Sequence, residues 1–98
     1  MNIRERALYT LNDPGIMSMT DRELQRKLIL HGAKAIILSA KDSGHNFGSV
    51  SALRECIMVI MSWTDKNLAD RTISNMERSG IIRISKSGKG FALTGMIN

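Results

Sequence analysis

The sequence predicts a mainly α protein with a small β-hairpin, an α+β fold. Three observations carry this. Residues 65–79 have the period, the start and the stop of an amphipathic helix. Two short β-type runs follow, Ile81-Ile82-Arg83-Ile84 and Phe91-Ala92-Leu93, separated by a turn with two lysines and two glycines. Most of the chain before them carries apolar residues at three- and four-residue steps, the spacing of a helix face.

In order, Ile3, Ala7, Leu8 and Leu11 give a first helix an apolar side, with Arg4, Glu5 and Arg6 outside it. Asn12-Asp13-Pro14-Gly15 stops that helix with a strong turn signal. Thr20 opens the next, and Glu23 three residues on completes a capping box. Leu24, Leu28, Ile29 and Leu30 form its apolar side, and Gln25, Arg26 and Lys27 are exposed. His31-Gly32 is expected to weaken or kink it, since glycine costs roughly 1 kcal/mol there relative to alanine. Ala33 to Lys41 then forms a further helix, with Ala35, Ile36, Ile37, Leu38 and Ala40 nearly all buried. Asp42 to Asn46 is a loop, and Phe47-Gly48 a very short strand.

Ser49 or Ser51 caps the helix that ends at Met61, with Val50, Leu53, Cys56, Ile57, Ile60 and Met61 inside. The run from Cys56 to Met61 is apolar all round, a pattern a strand also fits. The spacing begun by Val50 and Leu53 selects helix, and Met58 and Val59 then point away from the first packing face. Thr64 is expected to cap the helix over 65–79, and Asp65 suits the positive end of its dipole. Leu68, Ala69, Thr72, Ile73 and Met76 share its inner face, and Gly80 suits a left-handed C-terminal turn. Met17 to Leu24 echoes Met61 to Leu68, which we read as two helices starting with the same good cap.

At 98 residues the chain is long enough for one modest core. Its single cysteine, Cys56, cannot form an internal disulfide, and no basic segment followed by a long apolar run opens it. A cytoplasmic location is the default expectation. No apolar run approaches the length needed to span a bilayer, so no membrane partner is expected. The formal net charge is +5, and its placement says more than its size. Up to Glu77 acids and bases nearly cancel. After it come Arg78, Arg83, Lys86 and Lys89 and no acid. A basic glycine turn of this kind attracts a phosphate backbone; the plainer reading is a solvated hairpin kept soluble by lysines.

Helix, glycine, strand, basic glycine loop and strand, in that order, resemble the recognition helix and wing of the winged helix-turn-helix superfamily. Met76, four before Gly80, matches the apolar residue that packs the helix on the core, and Ile81-Ile82 the pair that starts the first wing strand. The resemblance implies a winged unit over 33–98, with helices at Ala33–Lys41, Ser49–Met61 and Asp65–Ser79, and a helical extension over 1–32 that dimerises the protein. It implies double-stranded DNA as partner. Lys66, Asn67 and Arg71 then reach base edges in the major groove, asparagine to adenine and arginine to guanine. Ser74, Asn75 and Arg78 lie further along, toward phosphates, and Arg83, Lys86 and Lys89 belong to the wing. Asp70 and Asp65 repel phosphate; they accept from a cytosine amine or order Arg71. The size suits a small transcriptional or replication regulator of bacterial or phage type.

Signals for an enzyme are weak, and none is expected. His31 and His45 have no cysteine or acid at ligand spacing, which argues against a metal site. Cys56 in its apolar run reads as a structural thiol. Neither Gly44-His45-Asn46-Phe47-Gly48 nor Gly88-Lys89-Gly90 has the setting of a nucleotide-binding loop, so no cofactor is expected. Trp63 reads as a staple closing the helix start rather than a base-stacking surface. The second reading is a protein-interaction module, an adaptor or inhibitor of a larger complex, using the spare apolar residues Met58, Val59, Met96 and Ile97. Scarce aromatic residues argue against single-stranded RNA.

Overall fold

The computed structural model of the chain describes residues 3–11 and 14–94; the spare apolar pair Met96 and Ile97 lies outside them, as do Asn12 and Asp13 of the expected first turn. The elements are α1 (Ile3–Leu11), a 3-10 turn (Pro14–Ser18), α2 (Asp21–Asp42), β1 (Gly48–Ser49), α3 (Val50–Met61), α4 (Lys66–Arg78), β2 (Ile82–Ile84) and β3 (Gly90–Leu93). The described chain is therefore mainly helical with a small antiparallel sheet, in the order β1-β3-β2.

The start of α2 forms one half of the expected box, and Glu23 accepts from the Thr20 hydroxyl in place of the Thr20 amide. The Glu23 amide donates to the Thr20 hydroxyl at 3.2 Å, and that hydroxyl donates to the Glu23 carboxylate at 3.1 Å. Two expectations fail further along. The helix does not break at His31-Gly32, and no separate helix begins at Ala33: α2 runs for 22 residues, straight across the boundary expected between residues 32 and 33. Gly32 serves contact rather than bending. A Cβ placed there would overlap Cys56 Sγ, so glycine lets α2 and α3 pack closely. The run Ala35–Ala40 is also less buried than expected. Ile37 is buried, but Ala35 is exposed and Leu38 is 61% exposed, because one face of α2 suffices to cover α3.

α3 is helical, capped by Ser49, whose hydroxyl accepts from the Ala52 amide. Ser62, at φ 56, turns the chain from α3 toward α4. Ile29, Ala33 and Ile37 of α2, Val50, Leu53 and Ile57 of α3, and Ala69, Ile73 and Met76 of α4 meet Ile82 and Phe91 of the sheet in the main core. The large apolar side chains fully buried here, Leu53, Ile57 and Phe91, each contribute about 1.5–3 kcal/mol. A second core joins Ala7, Ile16, Leu24 and Leu28, and Ile60 packs against both.

Arg4 and Arg6 do not point outward as the pattern of α1 suggests. Arg4 donates to the carbonyls of Ile16 and Met19, each at 2.9 Å, and pairs with Asp21 at 3.3 Å. Arg6 donates to the carbonyls of Val59 (2.8 Å) and Ile60 (2.6 Å). Carbonyls in the last turn of a helix lack intrahelical partners and carry the negative end of its dipole, so a guanidinium is well placed at the end of α3.

The sheet closes the far end. Gly48 pairs with Phe91 and Ser49 with Gly90, while Ile82, Arg83 and Ile84 pair with Leu93, Ala92 and Phe91. A Cβ at Gly48 would stand 2.9 Å from Ile36 Cγ2 and 3.0 Å from Phe91 Cε1, so the strand reaches β3 only with glycine there.

Candidate functional site

α4 is built to present one polar face. Asp65, not Thr64, is its N-cap: the carboxylate accepts from the Asn67 amide at 2.9 Å. A carboxylate offsets the helix dipole as well as the free amide. Thr64 also lacks the glutamate three residues on that helps Thr20. Ala69, Ile73 and Met76 are buried beneath the helix, with Leu68 and Thr72 half-buried. At the other end Gly80, at φ 76, takes the left-handed turn, and its carbonyl accepts from the Thr94 hydroxyl at 2.7 Å.

The outward face carries the residues selected from the sequence. Lys66, Asn67, Asp70, Arg71, Ser74, Asn75 and Arg78 are all exposed. All of these except Lys66 line one shallow, open depression. Lys66 stands at the first helical position, where a cation opposes the dipole. Lys66, Arg71 and Arg78 have no hydrogen-bonded or ionic side-chain partner among the described residues.

Asp70 has a partner the sequence did not suggest. Its carboxylate accepts from Arg54 Nε of α3 at 2.6 Å, so it neither orders Arg71 nor stands alone. Arg54 is a member of this surface that sequence reasoning missed. Sixteen residues separate the pair, and only the packing of α3 on α4 brings them together.

The hairpin loop is held by its own serines. The Gly90 amide donates to Ser85 Oγ (3.0 Å) and the Lys89 amide to Ser87 Oγ (3.3 Å). The Val50 amide donates to the Lys89 carbonyl at 2.9 Å, which ties the loop to the start of α3. The ammonium groups of Lys86 and Lys89 are exposed and unpaired among the described residues. Arg83 instead lies over the ring of Phe47, 5.6 Å from its centroid, a cation–π contact that fixes it on the outer side of the sheet.

Other singled-out residues gather no site. His31 and His45 are exposed, and no group of three or more metal-ligating side chains occurs among the described residues. Burial pushes the Cys56 thiol up, away from the reactive thiolate, and Gly32 lies against it. Trp63 packs on the main core. Val59 is 68% exposed as expected, but Met58 does not face away with it: it is half-buried and packs against the main core. No helix among the described residues is long and apolar enough to cross a membrane.

No protein-family model matches the chain, and neither the curated proteins nor the solved structures provide a match.

Proposed function

We propose that this chain is a winged helix-turn-helix protein that binds double-stranded DNA, with α4 in the major groove and the β2–β3 hairpin as the wing. The observation that carries the reading is the distribution of unpaired cations. Lys66, Arg71 and Arg78 on the outward face of α4, and Lys86 and Lys89 on the hairpin, are exposed and uncompensated. The cations tied to carbonyls, Arg4 and Arg6, belong to the α1 side instead. Arg22 and Arg26 of α2 are unpaired among the described residues as well, but the cations of α4 and the hairpin lie within one stretch, 66–89, whose acids are Asp70, paired with Arg54, and Glu77, and such a run suits a polyanion.

In this reading Lys66, Asn67 and Arg71 meet base edges, and Ser74, Asn75, Arg78, Lys86 and Lys89 meet phosphates. Arg83 supports the wing from its place over Phe47. The protein is a homodimer, and Leu8, Tyr9 and Met17 on the N-terminal extension, exposed at 48%, 81% and 73%, support this. It acts as a small regulator of transcription or replication, in the cytoplasm, without a cofactor.

The test is a gel shift on random duplex DNA at two salt concentrations. If the three unpaired cations Arg78, Lys86 and Lys89 meet phosphates, the logarithmic salt slope is about −2.7, and affinity falls roughly 40-fold between ~50 and ~200 mM salt. Absence of binding at the lower salt would overturn the reading. One observation favours a second reading, an interaction module for a protein partner: Met58, Val59 and Trp63 line a hollow between α3 and the turn into α4. Binding there would be nearly insensitive to salt.

A further inference from the structure

α2 and α4 each pack on α3, and a cleft opens between them, lined by residues of α2 and α4 with Met61 and Ile81. Its floor is apolar. Ile29 and Met76 are each 8% exposed, and Leu30, Met61 and Ile81 pack beside them on the main core. The cavity measures about 530 Å³ and is open to solvent on one side. Sites for small organic ligands run to roughly 300–1,000 Å³, with an apolar lining and a few convergent polar groups.

The polar groups here are unusual for a helix surface. Arg22 and Arg26 stand one turn apart at the rim, both exposed. Like charges at that spacing repel and destabilise a helix slightly. Neither guanidinium has a hydrogen-bonded or ionic partner among the described residues. The rim's acid, Glu23, already accepts from the Thr20 hydroxyl in the capping box, and the remaining polar lining residues, such as Asn75, are neutral. Two free guanidiniums over an apolar floor complement a ligand with an anionic head and a short hydrocarbon body. Guanidinium matches carboxylate in geometry as well as charge.

We propose that this cleft binds a small amphipathic carboxylate, with its head group on Arg22 and Arg26 and its hydrocarbon part over Ile29, Leu30, Met61 and Met76. The proposal does not rest on DNA binding: its anchoring cations, Arg22 and Arg26, lie on α2, and the cleft shares only Asn75 with the depression on the outward face of α4.

The experiment titrates the full chain with octanoate and, separately, with octanamide, which keeps the hydrocarbon and removes the charge. Methyl and amide NMR shifts provide the readout. Octanoate is expected to saturate, with the largest shifts at Ile29, Leu30, Met61, Met76 and Ile81. Octanamide and the Arg22→Gln/Arg26→Gln double variant should each weaken binding about tenfold or more, the loss expected when a charge-assisted contact is removed. Circular dichroism checks that the variant folds. Should it not fold, octanoate affinity for the unaltered chain should fall as salt rises while octanamide affinity holds. Shifts that do not saturate, that scatter over the surface, or that are equal for octanoate and octanamide would overturn the proposal.

Discussion

Asp70→Asn tests the outward face of α4 more sharply than removing a cation does. The carboxylate of Asp70 holds Arg54 Nε at 2.6 Å, with the two side chains 49% and 30% exposed. The substitution removes one negative charge from the centre of the face and releases one guanidinium beside it. If a duplex lies there, one more phosphate is neutralised. The logarithmic salt slope should steepen by about 0.9, which at ~0.1 M salt strengthens binding to any duplex about eightfold. The fold should tolerate the change, since a solvent-exposed pair contributes only about 0–1 kcal/mol. A domain of this size would then lose at most roughly 4–8 °C in Tm. The assay is fluorescence anisotropy with a labelled, scrambled duplex over a series of salt concentrations, beside a thermal melt. An unchanged slope and affinity in a folded Asp70→Asn protein would refute the placement of DNA on α4, whatever the hairpin does.

Other expected outcomes separate reading, clamping, packing and assembly. Arg71→Ala should cost roughly 1–3 kcal/mol on a preferred sequence and relax the preference, whereas Lys89→Ala should weaken all duplexes about equally and reduce the salt slope by about 1. Binding titrations on preferred and scrambled DNA distinguish them. Gly32→Ala should destabilise by about 1–3 kcal/mol through overpacking against Cys56, although alanine is the better helix former by roughly 1 kcal/mol. In a Cys56→Ala background the new Cβ meets only the neighbouring Cβ, at 3.9 Å, so the sign should reverse; a cycle of thermal melts decides. Sedimentation at micromolar concentration should show a dimer that Tyr9→Glu shifts toward monomer, and a monomer in the unaltered chain would end the dimer proposal.

Local signals were readable where one residue acts on its sequence neighbours. Thr20 with Glu23, Gly80 after Met76, and the two β-type runs on either side of the glycine turn each declare themselves within a few positions. Even the two-residue strand was legible to within one position: the expected Phe47-Gly48 forms instead as Gly48–Ser49, because the Ser49 that caps α3 also pairs with Gly90. The polar residues of α4 were readable as a face once its period was known. What escaped depended on approach between distant segments. Gly32 looked like a weak point because its helical cost is local while its benefit lies in Cys56, 24 residues on. The Arg54–Asp70 pair and the contact of Arg83 with Phe47 are likewise invisible until helices and sheet are assembled. Arg4 and Arg6 look like surface charges because a pattern of side chains does not register carbonyls that need donors. Leu38 looked buried because the pattern counts apolar residues but not how many faces of a helix find neighbours.

The continuity of α2 bears on cooperativity. At 1.5 Å per residue the helix is about 33 Å long, close to the 39 Å long dimension of the molecule. One core hangs on its first half, through Leu24 and Leu28, and the other on its second, through Ala33 and Ile37. Such a shared strut leaves no place where one core can melt while the other keeps its footing. A chain cut to begin at Ala33 would keep only ten residues of α2, without the Thr20 cap, and a helix shorter than ~12–15 residues is marginal by itself. The first third of the chain thereby shares a helix with the hairpin-bearing unit, and heating should unfold the two together in one calorimetric transition.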